Sequence, residues 1–516
     1  MSEDAVPVKE GLFDETGGGR LLASRCTACG RIFFPKAPFC FDCLAKDMEE
    51  VALSRRGKLY SYSIGRMAST HFPPPYAVGL VDLPEGVRVF APLMTTADLT
   101  YRIGAEMEVY RRALERGRQT DHGVQVQTRV SEEASMREVA VIGVGQSEFG
   151  KFPWKSAAIM GSEAVKAALA DCAIPPRAIQ VAYCARQYDA NCTSQQILKE
   201  VGIRGIEMIN VENACAGGST SFRGVWKEIA DGRYDVGIAM GVESMTTSPI
   251  AGKLISPEKD DLEGHIGMTM PAMFGMVARR QMEAGATLED FARVSVKNHH
   301  NGCLNPQAQY KKEFTVEEIL NSRMICDPIT LLMCCPNTDG AAAAILCSMD
   351  VARRYTTQPI RVLGSALCSA DYKYAQEDIC SSPVGVKVAK MAYEMAGVDP
   401  KDIDLVEMHD AFANEEILRY EDLLLCKPGE GIDLLRSGAT AIGGRVPVNP
   451  SGGLLALGHP LSASGIRTVC EVVLHLRGQA GARQTPNAKV GLAQMLGGLV
   501  TNLEHGAVAG IHILAR

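Results

Sequence analysis

The stretch "VENACAGGSTSF", residues 211–222, places one cysteine between a β-rich run and a run of small residues. The hydrophobic pattern predicts a strand, a tight turn and a helix that begins near Cys215. Unpaired N–H groups at a helix N-terminus favour a thiolate, and Gly217 and Gly218 would leave room for a substrate. A free cysteine is more often a small buried hydrophobe, so a nucleophilic Cys215 also requires a partner base.

The second part of the chain contains an internal repeat. The segment "ALADCAIPPRAIQVAYC" at 168–184 resembles "AYEMAGVDPKDIDLVEM" at 392–408, and further on "RYDVGIAMG" resembles "AKVGLAQMLG". Both copies are typical of a helix, a proline turn and a buried strand. A duplicated unit of alternating strands and helices predicts an α/β fold in which helices cover the sheets of a layered sandwich.

The same repeat pairs the cysteine with a histidine. Aligning Arg223 with Arg467 puts Cys215 opposite His459 in "NPSGGLLALGHPLSASGIR", and each then lies at the start of the equivalent helix in its half. Two central helices related by pseudo-symmetry can point their N-termini at one site, which would bring thiol and imidazole together. That pair is what nucleophilic catalysis requires, and a hydrogen-bonded core histidine is the alternative.

Four other cysteines have the spacing of metal ligands. Two CxxC pairs occur in "CTACGRIFFPKAPFCFDC", namely Cys26 with Cys29 and Cys40 with Cys43. Two such knuckles can close a tetrahedral thiolate site around zinc, which would be structural because no coordination position stays open. Disulfides and a redox CxxC are the alternatives, and the paired spacing favours zinc.

Composition limits the classes of partner and compartment. The chain has 516 residues, 46% of them hydrophobic and 22% charged, so two or three globular domains are expected. A net charge of −7 argues against binding to nucleic acid or to a membrane surface. We find no signal peptide and no apolar run of transmembrane length. An odd total of 17 cysteines indicates free thiols and metal ligands in a reducing cytoplasm.

Pattern changes along the chain predict five segments. An OB-type barrel often binds single-stranded nucleic acid, but the basic cluster at 111–118 is not interleaved with aromatic residues, so we expect no nucleic-acid partner. The chain is either a natural fusion of two proteins or two separate subunits whose sequences are joined. The segments are an N-terminal segment with a zinc ribbon (1–50), an OB-fold (51–112), a polar linker (113–135) and two α/β halves (136–360 and 361–516).

Several ordered motifs make residues 136–516 similar to thiolases of the sterol-carrier and archaeal type. "ENACAGGST" resembles their nucleophile motif, "MHDAFANEE" their HDAF block and "GGLLALGHPLSASG" their GHP block, and "CCPNTDGAAAAIL" also matches. Residues 1–112 resemble the zinc-ribbon and OB-fold proteins of the DUF35 group that accompany such thiolases. The resemblance implies a duplicated thiolase fold, a layered α-β-α-β-α sandwich, preceded by a zinc ribbon and a small OB-type β-barrel.

The resemblance also implies a role for each candidate residue. Cys215 would accept the acyl group, and His459 would take its proton. His409 would lie in the oxyanion hole that polarises the substrate thioester oxygen, and Glu415 would steady its loop. A second oxyanion hole would use the backbone N–H of Cys215 and one near "QMLGG".

Two positions depart from the family pattern. The CxG motif that holds a proton-shuttling cysteine in ordinary thiolases has Gln494 in its place, and the cysteine of the HDCF variant is replaced by Ala411. Glutamine does no acid–base work near neutral pH. The proton would then pass through His459, His409 or water, or the enzyme acts on an unusual substrate.

The function implied is CoA-dependent thiolytic cleavage of a β-ketoacyl-CoA through an acyl-cysteine, with CoA as a substrate and a homodimer formed through the thiolase part. A bulky or aromatic substrate is expected, such as benzoylsuccinyl-CoA giving benzoyl-CoA and succinyl-CoA. The Met-rich run "GMTMPAMFGM" (267–276) suggests an adaptable apolar pocket, with core packing as the alternative. The arginine cluster would neutralise CoA phosphates or dock on the thiolase part.

Two other functions compete with this one. One is a retro-aldolase that acts on a side-chain CoA thioester, which we would expect to lack the nucleophilic cysteine. The other is a short-chain acetoacetyl-CoA thiolase. A non-catalytic role would not need Cys215, His409 and His459 together.

Overall fold

The computed structural model places the following parts of the chain. The predicted linker at 113–135 and the arginine cluster at 111–118 lie outside the described residues. The described residues are 11–14, 20–67, 74–94, 101–108, 136–249, 251, 264, 267–356, 358–371, 378–498 and 506–516.

The N-terminal part contains two small sheets. The first has the order β2–β1–β3 and carries the four spaced cysteines, and in the second β4 pairs with β5 and β7 while β5 pairs with β6. The "PEG" sequence forms the hairpin turn between β5 and β6, because Leu83 N donates to Val87 O and Gly86 has a φ of +75°. The strands are β1 Leu22–Cys26, β2 Ile32–Phe33, β3 Met48–Ala52, β4 Arg56–Gly65, β5 Tyr76–Asp82, β6 Arg88–Leu93 and β7 Glu106–Glu108.

The α/β part is built on nine strands in the order β10–β9–β11–β14–β8–β15–β18–β17–β16. The two halves meet where β8 pairs with β15 at only two positions. Two further strands, β12 Met324–Asp327 and β13 Ile329–Thr330, belong to the second small sheet. The nine are β8 Val139–Gln146, β9 Val181–Ala185, β10 Glu207–Val211, β11 Val236–Ser244, β14 Asp339–Ser348, β15 Ile360–Ser369, β16 Leu405–Glu407, β17 Val490–Gly497 and β18 Val508–Ala515.

Twelve helices are described. Side-chain caps fix several N-termini, such as the reciprocal Thr287–Asp290 capping box before α5, and Gly397 ends α8 in the left-handed conformation. The helices are α1 Ala157–Cys172, α2 Thr193–Lys199, α3 Gly217–Ala230, α4 Met270–Glu283, α5 Leu288–Cys303, α6 Val316–Leu320, α7 Met349–Ala352, α8 Pro383–Ala396, α9 Ala413–Asp422, α10 Gly431–Arg436, α11 Gly453–Leu457 and α12 Leu461–Arg477.

The strand order confirms the predicted duplication and the layered fold. Each half begins with a strand next to the central seam, β8 or β15, and the repeated proline turns at Pro176 and Pro400 each precede the matching strand, β9 or β16. Helices α3 and α12 contact strands of both halves, while α1 covers the outer face of the first half and α8 that of the second. The layers are therefore α-β-α-β-α, with α3 and α12 in the middle.

The two central helices touch at glycines. A Cβ on Gly218 would lie 2.7 Å from the backbone nitrogen of Ile466, and one on Gly465 would lie 2.5 Å from that of Ser219. The expectation that Gly217 and Gly218 leave room for a substrate is therefore wrong. The space beside Gly218 is filled by α12, and a Cβ on Gly217 would already contact Ala185 at 3.2 Å.

The second small sheet is shared between the N-terminal part and the α/β part. Strand β12 pairs with β4 through Cys326 with Gly65 and Asp327 with Ile64. Helix α4 packs on β4, and its residues form one buried apolar cluster with the β5–β6 face. The members of this docking cluster include Tyr76, Val78, Leu80 and Phe90 on one side and Met268, Ala272, Met273, Met276 and Val277 on the other.

The docking cluster corrects the interpretation of the Met-rich run. Met268, Met273 and Met276 are at most 1% exposed and fill the contact between the two parts of the chain, not a substrate pocket. Methionine suits this contact because its flexible side chain fills irregular gaps. The alternative stated above, core packing, is the observed one.

Candidate active site

Cys215, His409 and His459 converge at one point. Their sulfur and ring nitrogen atoms all lie within 4.8 Å of one another, the two histidines are buried and Cys215 is half-buried. The histidine rings are 5.2 Å apart, edge to face. The structure thus brings together the thiol and the imidazole that the internal repeat pairs, and adds the histidine of the HDAF block.

A strained turn presents Cys215. It lies in the 3-10 turn Ala214–Ala216 between β10 and α3, as the predicted strand, turn and helix require. Ala214 has a φ of +46°, which is costly for a residue with a Cβ. Gly497 at the end of β17 supports the turn from behind, since a Cβ there would be 2.6 Å from Ala216 N.

Burial keeps the Cys215 thiol protonated. Loss of solvation, together with the negative charge of Glu415, raises the pKa of Cys215 to about 12. The helix N-terminus does not overcome this, so a neutral thiol is favoured over the expected thiolate. A neutral thiol needs a neighbouring base before it can act as a nucleophile.

His459 is held in the tautomer of a base. Ser464 Oγ donates its hydrogen to Pro460 O at 3.0 Å and lies 2.8 Å from His459 Nδ1, so it accepts a hydrogen bond from Nδ1–H. The proton on Nδ1 leaves Nε2 with a free lone pair, and Nε2 has no other partner among the described residues. Burial, with the nearby charge of His409, lowers the pKa of His459 well below 6.5, which keeps the ring neutral.

The main chain of His459 is fixed by the neighbouring segment. Its N–H donates to Thr338 Oγ1 at 3.1 Å, and Asn337 forms a parallel bridge with it. Gly458 has a φ of +104°, and a Cβ there would lie 2.4 Å from Thr338 Oγ1, so only glycine allows this approach.

His409 is oriented by a carboxylate. Its Nδ1 lies 2.9 Å from Glu415 Oε1, and its buried Nε2 has no partner among the described residues. Burial alone would raise the pKa of Glu415, but the charges of His409 and Arg419 outweigh it and lower that pKa to about 2. The carboxylate therefore fixes the orientation of the ring by accepting a hydrogen bond from Nδ1–H.

Gln494 has a role that the sequence did not indicate. Its side-chain Oε1 accepts a hydrogen bond of 3.0 Å from the backbone N–H of His409, and the residue is buried. The amide therefore positions the His409 loop from the strand β17. No local pattern predicts this contact, because the two residues are 85 positions apart.

A second missed feature is the segment Cys334–Thr338, which runs between the two histidine loops. Cys334 bridges Phe412 in antiparallel fashion, Cys335 N donates to Ala411 O at 2.9 Å, and Asn337 bridges His459. The "CCPNTDG" motif was the available signal, but its pairing partners lie far away in sequence.

The four N-terminal cysteines fit a zinc ion. All four sulfurs lie within 4.8 Å of one another, and the pairs Cys26–Cys43 and Cys29–Cys40 are each 3.5 Å apart. A tetrahedron with zinc–sulfur bonds of 2.3 Å has sulfur–sulfur edges of about 3.8 Å. This set of four thiolates in two knuckles would hold zinc with no open position.

Comparison with known families assigns each part of the chain. Residues 139–350 match the "Thiolase, N-terminal domain" and residues 366–508 the "Thiolase C-terminal domain-like" family. Residues 18–49 match the "ChsH2, rubredoxin-like zinc ribbon domain" and residues 50–112 the "ChsH2, C-terminal OB-fold domain".

Curated relatives agree. The acetyl-CoA acetyltransferase of Methanothermobacter thermautotrophicus is 41% identical over 389 residues, which are 74% of this chain and all of that protein. The chain belongs to the thiolase family. Benzoylsuccinyl-CoA thiolase subunit BbsB of Thauera aromatica is 36% identical over 70% of this chain and 95% of the relative. Sterol carrier protein 2 of Homo sapiens is 36% identical over 71% of each protein.

A solved structure is similar to most of the chain. The Ltp2-ChsH2(DUF35) aldolase superposes with a TM-score of 0.64 and 26% identity, over 74% of this chain and 99% of the other. This thiolase is thus an acyltransferase preceded by a zinc ribbon and an OB-fold, and thiolases take acyl-CoA and CoA as substrates. Among the described residues, no helix has the length and apolar character needed to cross a membrane.

Proposed function

We propose that this thiolase cleaves a β-ketoacyl-CoA with CoA through an acyl group carried on Cys215. The observation that supports this most is the convergence of the Cys215 sulfur with the ring nitrogens of His409 and His459 within 4.8 Å. A thiol beside a neutral imidazole with a free lone pair is an activated nucleophile, and a donor beside it stabilises an oxyanion.

The residues divide the first half-reaction between them. His459 Nε2 takes the proton from Cys215 as the sulfur attacks the keto carbonyl, since a neutral base is ready and a thiolate is not. His409 Nε2–H, held by Glu415, donates to the thioester oxygen that becomes the enolate when the carbon–carbon bond breaks. The Cys215 backbone N–H and one near Gly497 are proposed as the second oxyanion hole.

For the substrate we propose a bulky or aromatic β-ketoacyl-CoA such as benzoylsuccinyl-CoA. Ala411, in the loop that holds His409, is a smaller side chain than the cysteine of the HDCF variant, which would leave more room near Cys215 for the acyl group. The relative BbsB is named for this substrate. We also expect a homodimer formed through the thiolase domain, which the mass of the protein in solution would test.

A short-chain substrate is the second candidate, because the Methanothermobacter relative is named acetyl-CoA acetyltransferase and is 41% identical. Comparing kcat/KM for acetoacetyl-CoA and benzoylsuccinyl-CoA in the CoA-dependent direction separates the two. A tenfold advantage for acetoacetyl-CoA would reject the bulky substrate.

A retro-aldolase is the third candidate, because the similar solved structure is named Ltp2-ChsH2(DUF35) aldolase and residues 18–112 of this chain match ChsH2 families. An aldol cleavage releases a carbonyl product without acyl transfer, so it has no use for a buried thiol paired with a base. Cys215 therefore separates the two chemistries.

The deciding experiment replaces the nucleophile. Cys215→Ala should abolish thiolysis while the circular dichroism spectrum and melting temperature stay those of the wild type. Wild-type enzyme incubated with substrate but without CoA should gain the mass of one acyl group on the peptide that contains Cys215. Full turnover by the alanine variant would reject thiolase chemistry and favour the aldolase.

A further inference from the structure

The segment Cys334–Thr338 places a second thiol at the candidate site. Cys334 and Phe412 are opposed in an antiparallel bridge, so the next pair along is Cys335 with Ala411, whose backbones are joined at 2.9 Å. Directly opposed side chains share a face with Cβ atoms about 4.5–5.5 Å apart. Cys335 therefore lies beside the position where the HDCF variant would carry its cysteine.

The two segments run along the candidate site. Ala411 lies two residues after His409, and Cys335 lies two residues before Asn337, which bridges His459. Cys335 is half-buried, and it lies near enough to Cys215 that ionisation of Cys215 would raise the pKa of the Cys335 thiol. The buried Nε2 atoms of His409 and His459 have no hydrogen-bond partner among the described residues. The space beside these two atoms therefore suits a polar ligand.

Cleavage of the carbon–carbon bond leaves an enolate that must gain a proton. In the proposed thiolysis His459 keeps the proton that Cys215 later recovers and His409 donates to the enolate oxygen, so a separate acid is needed. Two further groups nearby are unsuited to this role. Gln494 is committed to the His409 backbone and is not an acid. The Asp410 carboxylate accepts from Leu454 N and from Asn298 Nδ2, so both its oxygens are engaged in structure.

We propose that Cys335 is the catalytic acid that protonates this enolate, an inference that rests on the thiolysis proposed above. The thiol is protonated in the resting enzyme, because burial raises its pKa well above 9. A proton donor must begin in that state.

Each proton that Cys335 and Cys215 release is regained within one turnover. The electron pair of the broken bond goes to the thioester as the enolate, and its α-carbon takes the proton of the Cys335 thiol to give the first acyl-CoA. The Cys335 thiolate then takes the proton of the incoming CoA thiol. The CoA sulfur attacks the acyl group on Cys215, and Cys215 leaves as a thiolate that recovers its proton from His459.

The chain offers a matched control for the test. Cys334 precedes Cys335 in extended conformation, so its side chain points to the opposite face, and its Sγ donates to Thr330 O at 3.4 Å. We would compare Cys335→Ala, Cys335→Ser and Cys334→Ala in the full chain. Serine preserves the size of the side chain but is too weak an acid to replace the thiol, so it separates proton transfer from packing.

Three readouts are needed. The first is kcat for acetoacetyl-CoA and benzoylsuccinyl-CoA with CoA. The second is exchange of the α-hydrogens of acetyl-CoA and succinyl-CoA in D₂O, followed by mass spectrometry. The third is alkylation of Cys215 by iodoacetamide, located by peptide mass.

Both Cys335 variants should lose about a hundredfold or more in turnover and in α-hydrogen exchange, the usual contribution of a positioned acid or base. Their Cys215 should be alkylated at the wild-type rate, and Cys334→Ala should stay within about threefold of wild type in every readout. Exchange in Cys335→Ser or Cys335→Ala equal to that in Cys334→Ala would overturn the assignment. Absence of an acyl group on wild-type Cys215 would instead refute the proposed thiolysis itself.

Discussion

At the scale of single residues, the protonation state of Cys215 determines how the candidate site would react. Burial raises the pKa of the thiol to about 12 and lowers that of the His459 imidazole well below 6.5. The resting pair is therefore a neutral thiol beside a neutral base, and not the thiolate–imidazolium pair that a helix N-terminus alone would favour. In the proposed thiolysis, proton transfer would therefore accompany the attack on the substrate, which would limit reaction of Cys215 with stray electrophiles.

This state of Cys215 predicts a pH profile for alkylation without substrate. Because the pKa is raised, the thiolate fraction is small at pH 7 and rises about tenfold per pH unit. The rate of alkylation by iodoacetamide should therefore increase steadily from pH 7 to pH 10, and His459→Ala should slow it at pH 7. Peptide mass spectrometry of wild type and Cys215→Ala assigns the label. A plateau below pH 8 would mean that a thiolate forms in the resting enzyme.

At the scale of elements, the central helices are what brings the site together. Residues at the N-terminal ends of α3 and α12 meet because Gly218 and Gly465 let the two helices touch backbone to backbone. The internal repeat contains enough information to pair Cys215 with His459, since it relates two equivalent helices. It does not reveal Gln494 or Cys335, whose contacts join segments that are distant in sequence and leave no local periodicity.

The close contact between α3 and α12 predicts that one added methyl group at their crossing lowers the free energy of unfolding. In Gly465→Ala the new Cβ would lie 2.5 Å from Ser219 N, so α3 and α12 must separate. Overpacking of this kind costs about 1–3 kcal/mol of unfolding free energy. Urea denaturation should show this loss, and turnover should fall with it as Cys215 and His459 move apart. Lys227→Ala, an exposed change on α3, is the control, and equal stability of the two variants would contradict the tight crossing.

At the scale of the whole molecule, the zinc ribbon is linked to the OB-fold by a shared core. Leu21, Ala23 and Phe34 pack in one buried cluster with Leu59 and Tyr62 of β4. The four cysteines would hold the ribbon together as zinc ligands, and the zinc would then contribute to folding and not to chemistry.

Removal of zinc should therefore destabilise the zinc ribbon first, then the OB-fold and only later the thiolase part. Chelation should first increase hydrogen exchange in residues 20–53, then in β4–β6, and acyl transfer should decline only afterwards. Hydrogen-exchange mass spectrometry with a parallel activity assay follows this order. Metal analysis that finds no zinc in the native protein, or activity lost before any change in the ribbon, would contradict it.

Helix α4 connects the OB-fold to the loop of the candidate site that carries His409. On one side of this helix Ser61 Oγ donates to Met276 O at 2.8 Å, and on the other Phe274 stacks on Phe412 at 4.6 Å between ring centres. Asn414 at the start of α9 donates to Phe274 O at 3.2 Å. The helix thus lies between the OB-fold and the loop that carries His409, which the sequence alone could not show.

Substitution of Gly275 tests whether the OB-fold positions the His409 loop through α4. Gly275 faces β4 so closely that a Cβ would lie 2.5 Å from Ser63 Oγ, and Gly275→Val must push α4 away from the OB-fold or toward Phe412. Either movement shifts the His409 loop, so we expect kcat to fall about tenfold or more while iodoacetamide still labels Cys215, because a misplacement of about 1 Å costs up to a hundredfold in rate. Met282→Ala, an exposed change on the same helix, should leave both unchanged. If Gly275→Val lowers the melting temperature but keeps the wild-type kcat, the OB-fold stabilises the thiolase part without positioning His409.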